Sequence, residues 1–245
     1  MKNQWVIADI HGCYETLIRL IEDQIRPSKH DQIFFLGDYI DRGPNSKAVL
    51  DYIIYLKELG YQIFTLKGNH EDVFLRCYAH ESASVAHVGL FELKESWLYF
   101  GGKATLKSFG VKNLIDVPEY YINFLSQLPN YQVLPHYVLV HAGLNFTIDD
   151  PFSDQLSMYW IKDFKVVPQK VNHRKVIHGH VPFTLNQIQR SIQEDLSFSL
   201  DNGCVYHNHQ GMGNLIALEL NSLQLLVQHN VDVSKKPQRT IRLVA

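Results

Sequence analysis

Six side chains in this sequence are of the kinds that hold hard or borderline metal ions, and each comes just after a short apolar run. Asp9 and His11 follow residues 5–8, Asp38 follows 33–36, Asn69 follows 63–66, His141 follows 137–140 and His180 follows 176–177. Carboxylates, an amide and imidazoles together suit Mn, Fe or Zn better than Ca or a thiolate-bound ion. Six donors are too many for one catalytic ion that must keep an open position. Two ions sharing one carboxylate would use them all, and paired ions about 3.5–4 Å apart serve in-line phosphoryl displacement. His178 could ligate in place of His180, although the Gly179-His180 step favours His180. His207-Asn208-His209 has metal-like spacing but reads as a solvated loop.

Something must bring these scattered residues together. The runs are apolar on both faces, as buried strands are. Helical spacing separates the first three: Leu17, Leu20, Ile21 and Gln24 in one segment, Val49, Leu50, Ile53, Ile54 and Leu56 in the next, where Ser46 after Asn45 starts the helix. Strand alternating with helix implies right-handed crossovers and a largely parallel sheet. Ligands collect at the carboxyl ends of such strands, which is where all the polar clusters lie. From about 72 to 135 the pattern changes to helix, including 71–79 and 118–128. The aromatic stretch at 85–100, broken by Gly101-Gly102, reads as lid core. This region is expected to be a helical lid inserted beside the site. Beyond His180, residues 198–200, 215–220 and 223–227 read as antiparallel strands, with Asn221-Ser222 as a hairpin turn. No repeat or linker divides the chain, so one domain over 1–245 is expected, ending in a loosely held tail from Ser234.

Composition narrows the function. The 245 residues are 46% hydrophobic, 12% aromatic and 20% charged, which excludes a disordered, collagenous or disulfide-stapled chain. Basic and acidic side chains number 23 and 25, for a net charge of -2. A nucleic-acid partner is not expected at that balance. Cys13, Cys77 and Cys204 are odd in number and widely spaced, which fits a reducing cytoplasm. The first apolar run stops at Asp9, short of a signal peptide or membrane span, so no membrane partner is expected.

Taken in order, Asp9-Ile10-His11-Gly12, Gly37-Asp38-Tyr39-Ile40-Asp41-Arg42-Gly43, Gly68-Asn69-His70-Glu71, His141-Ala142-Gly143-Leu144 and Gly179-His180 resemble the phosphoprotein phosphatase family of binuclear metallophosphoesterases, its bacterial and phage members above all. Any one motif alone would be weak; the ordered set is specific. The later segment Ser199-Leu200-Asp201-Asn202-Gly203-Cys204 is similar to bacterial members too. The resemblance implies an α/β sandwich of two mixed sheets flanked by helices, and two divalent ions, Mn before Fe or Zn. It implies Asp9 and His11 on the first ion, Asp38 bridging, and Asn69, His141 and His180 on the second. Arg42 would grip phosphate oxygens as a planar fork, with Asn69 beside it. His70 would protonate the leaving alcohol, its basicity raised by Asp41. Water activated by the metals would attack directly, with no phosphoenzyme.

Two departures from the family pattern matter. Ala8 stands where glycine is usual, a small change. Lys162, within Tyr159-Trp160-Ile161-Lys162-Asp163, stands where bacterial members carry a second phosphate-clamping arginine. Lysine keeps the charge and loses the bidentate geometry. Because Gly179-His180 is followed by Val181-Pro182, the Gly-His-x-His pair of other metallophosphoesterases is absent, leaving the first ion fewer protein ligands. The resemblance implies a phosphomonoesterase, foremost a serine/threonine protein phosphatase acting on phosphoproteins. The alternatives are a symmetrical dinucleoside tetraphosphatase, a broad small-molecule phosphatase, or a binding module without activity. Tetraphosphatases of this kind commonly lack the aspartate before the basic residue of the second motif, so Asp41 favours a phosphomonoester. A binding module would lack ligands, and all six are present.

Overall fold

In a computed structural model, residues 2–82 and 88–232 are described, with side chains left aside for 88–91. The tail from Ser234 and residues 85–87 of the aromatic stretch lie outside the described residues. Two sheets carry the architecture. The first joins β1 (Gln4–Ile7), β2 (Gln32–Phe35), β3 (Gln62–Thr65), β8 (Asn214–Glu219) and β9 (Leu225–His229) in the order β3-β2-β1-β8-β9. Its β1, β2 and β3 are parallel, with Val6 opposite Phe34 and Ile33 opposite Ile63, while β8 and β9 run antiparallel. The second sheet joins β4 (Tyr131–Val133), β5 (Tyr137–Val140), β6 (Lys175–His178) and β7 (Ser197–Ser199) in that order, with only β4 antiparallel.

Side-chain alternation explains why the runs are apolar throughout. Successive strand residues face opposite sides. Val6, Ala8, Phe34 and Leu36 therefore point into a core shared with Leu139, Ile177 and Phe198 of the second sheet. Ile7, Ile33 and Phe35 point the other way, onto helices. Those helices include α1 (Tyr14–Ile18), continued by a π-helical stretch Arg19–Ile25, and α2 (Ser46–Glu58). The second sheet's outer face, with Val138, Val140 and Val176, packs on Leu144, Met158 and Tyr159, the last two from α7 (Gln155–Trp160). Both faces of both sheets are covered, so the expected sandwich of two mixed sheets flanked by helices is present.

The 72–135 region is mostly helical: α3 (Asn69–Ser82), α4 (Val88–Trp97), α5 (Lys103–Phe109) and α6 (Glu119–Ser126), with a π turn Leu98–Gly102 between α4 and α5. Gly101, at φ 132, makes the break expected there. One strand expectation is corrected. The apolar pattern at 198–200 predicts an antiparallel strand, but β7 lies parallel to β6. The reason is α8 (Leu185–Glu194), which lies between them in the chain and returns it in the same direction, as a crossover helix does. β9 begins two residues later than expected, since Leu223 takes φ 57 in the turn. In that turn Glu219 accepts the amides of Asn221 (3.0 Å) and Ser222 (2.7 Å), closing the hairpin from the strand side. Among the described residues, no helix is long and apolar enough to cross a membrane.

Candidate metal centre

The chemistry-bearing residues leave their strands at one end and converge. Loop 9–13 follows β1, loop 37–45 follows β2, Asn69 and His70 open α3 after β3, His141 follows β5 and His180 follows β6. Five of these residues hold a left-handed backbone without being glycine: His11 (φ 47), Asp38 (53), Asp41 (70), Arg42 (64) and His180 (66). Each such conformation is costly, and clusters of them mark functional sites. Two glycines make room for the carboxylates. A Cβ on Gly68 would meet Asp38 Oδ1 at 2.2 Å, and one on Gly179 would meet Asp9 Oδ1 at 2.1 Å.

Among the described residues, ligand atoms converge in two groups, the atoms of each within 4.8 Å of one another: His11, Asp38 and His70, and Asp38, His141 and His180. Asp38 belongs to both, with Oδ2 3.5 Å from His11 Nε2 and Oδ1 3.5 Å from His141 Nε2. Asn69 joins the second group, its Oδ1 being 2.9 Å from His141 Nε2 and 3.0 Å from His180 Nδ1. Asp9 falls in neither group; its carboxylate accepts the His180 amide at 3.2 and 3.1 Å. His178 is not brought in: its Nδ1 faces the Gly179 carbonyl and its ring packs edge-on against Phe164. His207 and His209 are exposed.

Protonation states favour cation binding. His11 Nδ1 lies 2.9 Å from the Ile40 carbonyl and His141 Nδ1 lies 3.0 Å from that of Leu36. A carbonyl only accepts, so each Nδ1 carries the proton and each Nε2 turns a lone pair toward the centre, the arrangement that a backbone acceptor on the far nitrogen gives a metal-binding histidine. Burial and the Arg42 charge hold His11 well below its usual value. Burial, with His141 and Lys162 adding like charge, takes His180 down to about 3, so it too is neutral. Burial pushes Asp9 up, helped by Asp201 and Asp38, so it lacks a sufficient counter-charge. Burial works the same way on Asp38, but His141, His70, His11 and Arg42 outweigh it and keep the carboxyl ionised. Lone pairs and anions thus face a shared space, and this donor set fits divalent cations.

His70 is different. Its Nδ1 is 2.7 Å from Asp41 Oδ2, both side chains are buried, and its Nε2 stands 4.0 Å from Asp38 Oδ2. Burial works to lower this imidazole, but Asp38 and the hydrogen-bonded Asp41 outweigh it and raise it. Arg42 is exposed, with its guanidinium 2.6 Å from His11 Nε2 and stacked over Tyr206. Lys162, Arg42 and His70 line a cleft of about 550 Å³ together with the aromatic rings of Trp97, Phe100 and Trp160. Ala8 keeps its methyl in the inter-sheet core.

Two acids carry roles that residue type and spacing do not reveal. Asp201, within a family-like segment, lies buried and accepts the Gly203 amide at 2.7 Å. Glu71, fully buried, clamps the second loop: Oε1 accepts the amides of Tyr39 (2.9 Å) and Ile40 (3.3 Å), Oε2 those of Asp38 (2.8 Å) and Gly68 (3.0 Å). The one signal in the sequence is its place after Asn69-His70; the four amides it serves are visible only in space. Glu71→Gln puts an amide NH2 against two of these donors. Unfolding in urea should show a loss of about 2–4 kcal/mol, the cost of two buried unsatisfied groups. A loss under about 1 kcal/mol would mean that the clamp carries little of the stability.

Residues 3–233 match the calcineurin-like phosphoesterase family, and the chain belongs to it. It is thus a metallophosphoesterase by family, and that family uses divalent metals. Within that class, the symmetrical bis(5'-nucleosyl)-tetraphosphatase of Dechloromonas aromatica is 32% identical over 142 residues, 57% of this chain and 43% of the relative. Its counterpart from Salmonella arizonae is 36% identical over 75 residues, 31% of this chain and 26% of the relative. The matches thus span less than half the length of these relatives. In fold, the chain is similar to a protein serine/threonine phosphatase from Saccharomyces cerevisiae (TM-score 0.64, 16% identity, 96% of this chain and 82% of that one). It is also similar to a cold-active protein-tyrosine phosphatase from Shewanella (TM-score 0.55, 14% identity, 94% and 81%).

Proposed function

We propose that this chain is a phosphomonoesterase for alkyl phosphate esters, foremost phosphoserine or phosphothreonine in proteins. Asp9 and His11 would hold one cation, Asn69, His141 and His180 a second, and Asp38 both. When bound, such a pair supplies Lewis-acid activation of water and of the phosphoryl group. Manganese is the expected metal. Arg42 rests on the His11 lone pair; once a cation takes that lone pair, its fork is available to phosphate oxygens. Lys162, on the same cleft, adds a point charge in place of a second fork. His70 holds a proton on Nε2 and gives it to the departing oxygen, while Asp41 orients the ring through Nδ1 and stabilises its charge.

The observation that carries this reading is the buried 2.7 Å His70–Asp41 pair. An alkoxide is a poor leaving group and needs a proton. A nucleotide released from a polyphosphate is an acidic leaving group and needs little help. The second reading, a dinucleoside polyphosphate hydrolase, is favoured by the tetraphosphatase relatives and by the cleft. Its lining has aromatic walls and the cations Arg42, Arg76 and Lys162, with no carboxylate among the described residues.

Specific activity on a phosphoserine peptide, a phosphotyrosine peptide and diadenosine tetraphosphate, with Mn²⁺ and after chelation, separates the readings. Metal-dependent turnover of the phosphoserine peptide above that of the tetraphosphate is expected. Tetraphosphate hydrolysis with inert peptides would establish the second reading in its place. No metal-dependent turnover of any substrate would leave a binding module.

A further inference from the structure

The side chain that orients His70 is itself held from a distant part of the chain. Asp41 is fully buried, and its carboxylate has three donors. His70 Nδ1 and the Trp97 indole Nε1 share Oδ2 at 2.7 and 2.8 Å, and the Thr105 hydroxyl donates to Oδ1 at 2.6 Å. Thr105 Oγ1 also accepts the Asp41 backbone amide at 2.9 Å. With its one proton spent on Asp41, it accepts from Ser46 Oγ at 3.0 Å. Each bond has one possible direction, and together they fill both ends of a residue held at φ 70.

The two outer donors flank the break between α4 and α5, and the break itself grips the same loop. Gly101 O accepts the Arg42 amide at 3.3 Å. Gly102 lies so close under the Trp97 ring that a Cβ there would meet it at 2.3 Å, and Phe74 packs on the ring edge-on at 5.8 Å. The indole is thus wedged at a fixed angle with its N–H aimed at Asp41. The sequence pattern predicts lid core at Trp97. Its ring does pack, but a packing role alone needs no N–H.

We propose that Trp97 and Thr105 are positioning residues for the His70 acid. They hold the Asp41 carboxylate in one orientation, so that His70 Nδ1 meets a fixed oxygen and the opposite nitrogen keeps its direction toward the reacting centre. Without the indole N–H, Oδ2 has His70 as its sole partner and Thr105 alone steadies the other oxygen, so the carboxylate can turn about that bond and carry the ring with it. Proton delivery then suffers while metal binding and phosphate capture do not. This rests on the acid role given to His70 above.

The test compares Trp97→Phe, Thr105→Val, Thr105→Ser and His70→Asn, each loaded with Mn²⁺, on an alkyl phosphate and on para-nitrophenyl phosphate. Trp97→Phe keeps an aromatic ring against Phe74 and loses the donor. It and Thr105→Val should lower kcat on the alkyl ester about 10- to 30-fold, part of what a general acid contributes, and on the aryl ester less than about 3-fold. KM and bound metal should stay at the wild-type level. Thr105→Ser, which restores the hydroxyl, should recover most of the alkyl-ester rate. Equal losses on both esters, or none, overturn the proposal while His70→Asn still discriminates between them. If His70→Asn itself shows no leaving-group dependence, the acid role and this proposal fall together. Should Trp97→Phe not fold, the Thr105→Val and Thr105→Ser pair decides by the same criterion.

Discussion

Asp38→Asn should lower turnover by about a thousandfold or more, at the scale expected when a charge aimed at the reacting centre is removed. Asp38 is the one residue common to both groups of converging ligand atoms. Its two oxygens face different histidines, Oδ2 toward His11 and Oδ1 toward His141. Asparagine has nearly the same shape, so the space left by Gly68 is respected. Its carbonyl oxygen can still accept the His70 amide, now at 3.1 Å from Oδ1. What disappears is one negative charge and one of the two donor oxygens. Both metals should therefore weaken together. Metal content after gel filtration and kcat across a Mn²⁺ titration measure this directly. Turnover within about tenfold of wild type at saturating Mn²⁺ would refute a bridging role, and loss of a single metal equivalent would reassign Asp38 to one ion.

His70→Asn should lower turnover of an alkyl phosphate by about 10²- to 10⁴-fold, the usual contribution of a positioned acid. The expected signature is selectivity rather than size. An aryl leaving group is acidic and departs with less protonation, so its loss should be much smaller. Metal content should be unchanged, because His70 Nδ1 is committed to Asp41 and its removal takes no donor from Asn69, His141 or His180. Equal losses across leaving groups would point to a binding role for His70. A drop in bound metal would place His70 among the ligands, beside Asp38 and His11, with which it shares one group of converging atoms.

Much of the site is legible along the chain. Asp38, Asn69, His141 and His180 each lie one to three residues past an apolar run, and such runs become buried strands because both of their faces are apolar. Strand ends in an α/β sheet converge, so ligands far apart in the chain can meet in one centre. The direction of β7 is not legible, because a short strand looks alike whichever way it runs. The intervening α8 decides it.

The residues that serve other residues are hardest to see. Glu71 spends its carboxylate on four backbone amides, and any sequence can supply amides. Trp97 and Thr105 lie over fifty residues from Asp41 and look like ordinary core and helix positions.

The amino-acid order alone determined which atoms could bind cations and that the chain alternates strand and helix. These are matters of residue type and local periodicity, and both are written along the chain. Only the folded molecule decided that Asp38 turns one oxygen toward each group of histidines, that the Asp9 carboxylate takes the His180 amide, and that an indole and a hydroxyl from a separate helical segment hold Asp41. Such facts depend on directions and distances between residues far apart in the chain, which packing sets and spacing does not encode.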